Sequence, residues 1–286
     1  MPRIRFHCVA LIVATALLMS YAPIHGGDWH YRTSAGCSDC HTQHNSENAQ
    51  PMRTDNVATP APILLRRGTP LELCLSCHDG SNPNAPDVIE PVSYVAESAA
   101  GAFPNSGGNP TMTAHHLNNP TPEVPPGGTV PMVLICTTCH DPHGNDNYRN
   151  LRPDPTRTNL AAVSVIASQS VAANGSNPAP VYVSANIIYK SGVSGWCLKC
   201  HGDSSPSDHP IDKSIWGSAL ASYTTWTSVT LPRVPVHSPV DNAIPSNDDQ
   251  VMCLSCHKAH GGNNPSALIY ADGSSIDSTC GECHNQ

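Results

Sequence analysis

The segment Cys136-Thr137-Thr138-Cys139-His140-Asp141-Pro142-His143 decides how this chain folds. It joins a Cys-x-x-Cys-His signature to a second histidine three residues later. Cys-x-x-Cys-His is the attachment signature of a c-type haem. Two thiols add to the two vinyl groups of one porphyrin, and the adjacent imidazole drops onto the iron. A single copy is weak evidence, because zinc ribbons and thiol oxidoreductases also use Cys-x-x-Cys. This chain carries six copies. The first three are Cys37, Cys40 and His41; Cys74, Cys77 and His78; and Cys136, Cys139 and His140. The last three are Cys197, Cys200 and His201; Cys253, Cys256 and His257; and Cys280, Cys283 and His284. Every cysteine except Cys8 falls in one of them. Zinc would pair the motifs into four-thiolate sites and leave each following histidine without a role. Six covalent haems per chain, and no disulfide, are therefore expected.

The composition agrees. Of 286 residues only 53 are Leu, Ile, Val or Phe, and Pro and Gly supply 48. That is too little apolar side chain for a protein-only core at this length. Charged residues are 13%, too few for an ordinary solvated disordered chain. Six buried macrocycles replace the missing core. The net charge is -8, without a Lys/Arg-rich stretch, which excludes a nucleic-acid or anionic-membrane footprint.

Arg3 and Arg5 precede a short apolar run from Val9 to Met19, followed by small residues at Ser20 and Ala22. This reads as a secretory leader over residues 1–22, with cleavage as late as 27 as the fallback. Cys8 leaves with it. No later stretch approaches transmembrane length. Residues 23–286 are then a single exported hexahaem domain with no internal boundary.

Each iron needs a second axial ligand or an open position. The mature chain has only Met52, Met112, Met132 and Met252, too few for six sites. Histidine is more plentiful: His25, His30, His44, His115, His116, His143, His209, His237 and His260 lie outside the motifs. Nine candidates for six positions point to bis-histidine ligation. His44, His143 and His260 each stand three residues after a motif histidine. Four residues of chain do not reach around a porphyrin, so each must serve a different haem. That ties two haems to one peptide segment. His115 or His116, His209 and His237 supply the other three ligands, and His25 and His30 remain as spares.

No segment sustains a helical period. Short helical turns at the motifs, long irregular loops such as 101–128, and a hairpin or plain loop from Val163–Ile166 to Val181–Ile188 complete the expected structure.

The order of motifs resembles the hexahaem OmcS-type outer-surface cytochromes of metal-reducing bacteria. The resemblance rests on Cys37–Ser46, Ile63–His78, the Ala114-His115-His116-Leu117 segment, Cys136–Gly144, Gly195–Asp203, Cys253–Gly261 and the C-terminal motif. It implies mostly coil, with little β, around a continuous stack of six bis-histidine haems in alternating offset-parallel and T-shaped pairs. It also implies a filament of copies of the chain, with His44 ligating a haem of the adjoining subunit, the one held by His257. At the Ala-His-His-Leu segment it favours His115 over His116.

The resulting function is extracellular electron transfer. A non-enzymatic, polymerising cytochrome would pass electrons at the cell surface to other multihaem cytochromes or an extracellular acceptor. The alternatives are a monomeric periplasmic or surface carrier and a multihaem reductase. The reductase needs an iron with an exchangeable position, whereas ligand candidates here exceed the irons.

Overall fold

A computed structural model describes residues 30, 36–44, 46–47, 50–55, 61–83, 85, 87–89, 100–104, 113–158, 160–169, 187–202, 211–214, 236–237, 239, 248–262 and 264–268. The expected leader, His25 and His209 lie outside these residues. So does the sixth attachment motif, whose expected haem-binding residues are Cys280, Cys283 and His284. Five of the six expected attachment sites, those of Cys37 to Cys256, are described. Within the described residues the chain is mostly coil, as its composition requires. Its helices are α1 (Cys37–Cys40), α2 (Pro70–His78), α3 (Cys136–Cys139), α4 (Val193–His201) and α5 (Cys253–Cys256). All five contain a Cys-x-x-Cys motif of the sequence.

They are of two kinds. At motifs one, three and five the helix is one turn that ends at the second cysteine. The side chains of Asp39, Thr138 and Ser255 accept the backbone N–H of Gly36, Ile135 and Met252 at 2.6, 3.1 and 3.0 Å. Each motif histidine closes the turn by donating its N–H to the first cysteine's carbonyl, at 2.9, 2.9 and 3.0 Å. The chain then leaves in an extended conformation. At motifs two and four the helix runs nine residues and includes the histidine. Thr69 caps α2 reciprocally with Glu72, and Pro70 pre-sets its first turn. Gly192 opens α4 at φ +90°, where a Cβ would stand 2.0 Å from Ser164 O, so only glycine fits.

The sheets are three short antiparallel pairs: β1 (Ser46–Glu47) with β2 (Gln50–Pro51), β3 (Thr113–Ala114) with β6 (Gly261–Gly262), and β4 (Ile166–Gln169) with β5 (Ile187–Ser191). The last pair is the hairpin that the sequence left open against a plain loop, shifted from its expected bounds. Val165 is withheld from it because its N–H bonds Asn147 Oδ1 at 3.0 Å and its carbonyl accepts Tyr148 N–H at 2.8 Å. The protein-only core is small. Val165, Tyr189, Val193 and Met252 are buried together, flanked by Tyr148, Leu151, Trp196 and Leu254. Met252 therefore serves as packing material, the usual role of an isolated methionine.

Asn147 is a polar hub of this region. Its Nδ2 donates to Leu151 O at 2.9 Å and Val163 O at 3.1 Å, and its Oδ1 accepts from Val165. Asn147→Ala leaves these buried backbone groups unpaired and should cost about 2 kcal/mol. Thermal denaturation followed by circular dichroism checks this; an unchanged melting curve would contradict the hub.

Candidate functional site: paired imidazoles along a chain of attachment helices

Three repeats of one local device hold the odd-numbered attachment histidines. Each is a left-handed turn of two consecutive non-glycine residues: Ile63–Leu64 (φ 52° and 56°), Arg149–Asn150 (56° and 55°) and Ser266–Ala267 (57° and 54°). The left-handed region costs an L-residue roughly 1–2 kcal/mol, so six such residues are a sizeable expense. The turns aim the carbonyls of Ile63, Arg149 and Ser266 at Nδ1 of His41, His140 and His257, at 3.0, 2.9 and 2.8 Å. Backbone bridges to Leu65, Leu151 and Leu268 lock each histidine beside its turn. Such a bond fixes Nδ1 as the protonated nitrogen and leaves the Nε2 lone pair for a metal.

The positions three residues later separate in an ordered way. The rings of His143 and His41 have centroids 6.2 Å apart and planes 16° from parallel. His260 faces His140 at 6.3 Å. The even-numbered histidines also have facing rings: His30 stands 6.3 Å from His78, and His115 stands 5.8 Å from His201. Two imidazoles in trans on one metal, each with a bond of about 2 Å, have centroids about 6 Å apart. The four separations fit an iron between each pair. The rings also suit ligation chemically. Burial lowers the pKa of His140, and pushes that of His260 down to about 3, which keeps both neutral. His260 is further held by Phe103, stacked at 4.4 Å.

The even-haem ligands repeat as well. His30 Nδ1 is 3.4 Å from Pro142 O, and His115 Nδ1 is 2.6 Å from Ala259 O. Pro142 and Ala259 each lie two residues after an odd motif histidine. His116 turns to Glu123 instead, with Nδ1 2.9 Å from Oε1. His237 is 2% exposed, its Nε2 is buried without a hydrogen-bond partner, and its Nδ1 is 3.0 Å from Asp212 Oδ1. A buried imidazole with one nitrogen anchored and the other unpaired has the form of a metal ligand. His44 is exposed.

The cysteines link the motifs in sequence order. Cys40 feels the charge of Cys77, and Cys139 that of Cys200. The Cys74 and Cys136 thiols are near enough to shift one another's pKa, as are those of Cys197 and Cys253. Burial pushes the Cys139 thiol up to about 12. Neighbouring second cysteines thus alternate with neighbouring first cysteines. Attached through these sulfurs, the haems of motifs one to five would lie next to one another in sequence order. The sixth pair, Cys280 and Cys283, lies beyond the described residues, so its place in this alternation is an expectation from the motif alone. Among the described residues, no three His, Cys, Asp or Glu side chains converge to form a metal cluster. No described helix is long and apolar enough to cross a membrane.

His30, left as a spare by the sequence, is brought beside His78, and like His115 it precedes an odd-numbered motif.

Attachment helices, imidazole clamps and facing histidines define a multihaem c-type cytochrome with covalently bound haems. The doubled CXXCH motif family matches residues 30–83 and 245–286. The chain is 26% identical to the C-type cytochrome OmcS of Geobacter sulfurreducens, across 88% of this chain and 82% of that protein. Its fold is similar to that of the outer membrane cytochrome S filament of the same organism, at TM-score 0.54, 20% identity and coverage of 87% and 85% of the two chains. A structure of the OmcS nanowires aligns at TM-score 0.51 and 21% identity, covering 82% and 83%. The resemblance to OmcS-type cytochromes therefore spans nearly the whole chain, in sequence and in fold.

Proposed function

We propose that this chain is the exported subunit of an extracellular electron-conducting filament, in which electrons pass between bis-histidine haems and from one copy to the next. The register of the odd-numbered histidine pairs carries this reading. His143 of motif three faces His41 of motif one, and His260 of motif five faces His140 of motif three. The second histidine of each odd motif therefore reaches back to the previous odd motif. His44 belongs to motif one, the first in this sequence, and His257 belongs to motif five, the last odd motif in it. Continuing the register joins His44 of one copy to the haem of His257 in another. That contact is head-to-tail, and contacts of this kind build open filaments when the rotation does not close.

The even motifs follow a second register. His30 lies upstream of motif one and faces His78 of motif two; His115 lies upstream of motif three and faces His201 of motif four. His237 lies upstream of motif five, so it serves the sixth haem, attached at Cys280 and Cys283 and held by His284. On this reading the distal ligands are His30, His44, His115, His143, His237 and His260. His30 takes the place expected of His209.

Haem iron supplies the one-electron chemistry. The protein's part is to hold the porphyrin edges close, fill both axial positions and exclude exchangeable ligands, which suits transfer rather than catalysis. The alternating cysteine contacts support two alternating haem-pair geometries, offset-parallel and T-shaped. The filament relatives support assembly of copies into a filament, from which electrons would pass to other multihaem cytochromes or an extracellular acceptor.

Electron micrographs of cell-surface preparations test the reading. Smooth unbranched fibres, identified by mass spectrometry as this chain with six haems, are expected. Recovery only as a soluble monomer would favour a carrier. Carbon monoxide binding to the reduced, intact assembly would favour a reductase.

A further inference from the structure

Three of the described distal candidates divide by what holds Nδ1, while His143 Nδ1 lies 3.9 Å from Asp141 Oδ1, beyond hydrogen-bond distance. His30 and His115 approach backbone carbonyls, those of Pro142 and Ala259. His237 approaches a carboxylate oxygen, Asp212 Oδ1, at 3.0 Å. Several features build Asp212 into this position. It adopts φ +56°, a left-handed conformation that aspartate tolerates better than most residues. Its N–H donates to Val251 O at 2.8 Å, and Ser194 Oγ donates to its Oδ1 at 2.9 Å. His237 is itself locked to Gln250 by two backbone bonds, at 3.0 and 2.8 Å. Ser194 lies in α4, whereas Val251 and Gln250 lead into α5, so two attachment helices fix the carboxylate against the ring.

We propose that Asp212 is a positioning residue that makes the haem ligated by His237 the lowest in potential among those whose distal imidazole is held by a neutral carbonyl or by a carboxylate. The inference rests on His237 being an axial ligand. A carboxylate accepting Nδ1–H draws the proton toward itself and gives the imidazole more anionic character. The iron-facing nitrogen becomes a stronger donor, which stabilises ferric over ferrous iron. A backbone carbonyl, lacking net charge, does this less. By the register of the even motifs the haem affected is the sixth, which would then be more reducing than the haems of His30 and His115.

Asp212→Asn tests this in the full hexahaem chain, because asparagine keeps the shape and a carbonyl acceptor but removes the charge. Spectroelectrochemical titration should show one midpoint of six moving upward, by about a tenfold change in the ferric-to-ferrous ratio at fixed potential, or about 59 mV for one electron. The shift should shrink at high salt, because the Asp212 side chain is 46% exposed and its charge is screened. Electron paramagnetic resonance should show one low-spin species with altered g values. Six unchanged midpoints with all irons low-spin would overturn the proposal. A newly high-spin iron in Asp212→Asn would also overturn it, because the carboxylate would then serve ligation geometry alone. His237→Ala separates the underlying assignment: if all six irons stay low-spin, His237 is not a ligand, and the ligand reading fails rather than the tuning.

Discussion

The His44→Ala chain should carry six covalent haems yet remain mostly monomeric, with one iron per chain newly high-spin or ligated by another group. The expectation follows from the odd-motif register. His143 and His260 have facing attachment histidines in their own chain, and His44 is the equivalent position with no earlier motif to face. It is exposed and lies four residues beyond α1. An iron–imidazole bond between copies would make each interface depend on one side chain. Losing even about 4 kcal/mol per interface weakens association about a thousandfold, enough to turn long fibres into monomers at working concentrations. Size-exclusion chromatography and electron paramagnetic resonance on the same sample check both parts. Normal fibres with six low-spin irons would contradict the intersubunit role.

His30→Ala should have the second-largest effect, and it acts within one chain. The ring of His30 stands 6.3 Å from that of His78, so its loss should leave the second iron five-coordinate. About one-sixth of the iron is expected to become high-spin, with carbon monoxide binding to that haem after reduction. Haem attachment should be unaffected, because Cys74 and Cys77 remain. The contrast with His44→Ala lies in assembly: the His30 variant should still polymerise. His209→Ala serves as the matched control and should leave all six irons low-spin. If His209→Ala and not His30→Ala produced the high-spin iron, the even-motif register would be wrong.

Several features were legible because they rest on local covalent chemistry. Six Cys-x-x-Cys-His signatures specify attachment whatever surrounds them, and one signature needs only a helical turn to bring two thiols to one porphyrin. The scarcity of Leu, Ile, Val and Phe was enough to expect a coil-rich chain with a small protein core, as Val165, Tyr189, Val193 and Met252 form. The three-residue offset of His44, His143 and His260 also sufficed to exclude each from its neighbouring haem, because that is a matter of chain length.

Which imidazole faces which could only be decided by the tertiary structure. Both registers depend on contacts between residues far apart in sequence: His143 with His41, His115 with His201, and His30 with the Pro142 carbonyl. The left-handed turns that aim carbonyls at His41, His140 and His257 contain Ile63, Arg149 and Ser266, residue types that carry no signal for that conformation. Their strain is held by long-range backbone bonds, such as Arg66 N–H to Cys40 O and Arg152 N–H to Cys139 O, at 2.9 and 2.8 Å. Asp212 was invisible for the same reason. An aspartate in a loop is ordinarily just a solvated charge, and only the folding of α4 and the approach to α5 brings it to His237. Sequence by itself determined the cofactor and its number, because attachment is local. Tertiary structure decided which imidazoles lie together, because such pairs join side chains far apart in sequence that only the folded chain brings side by side.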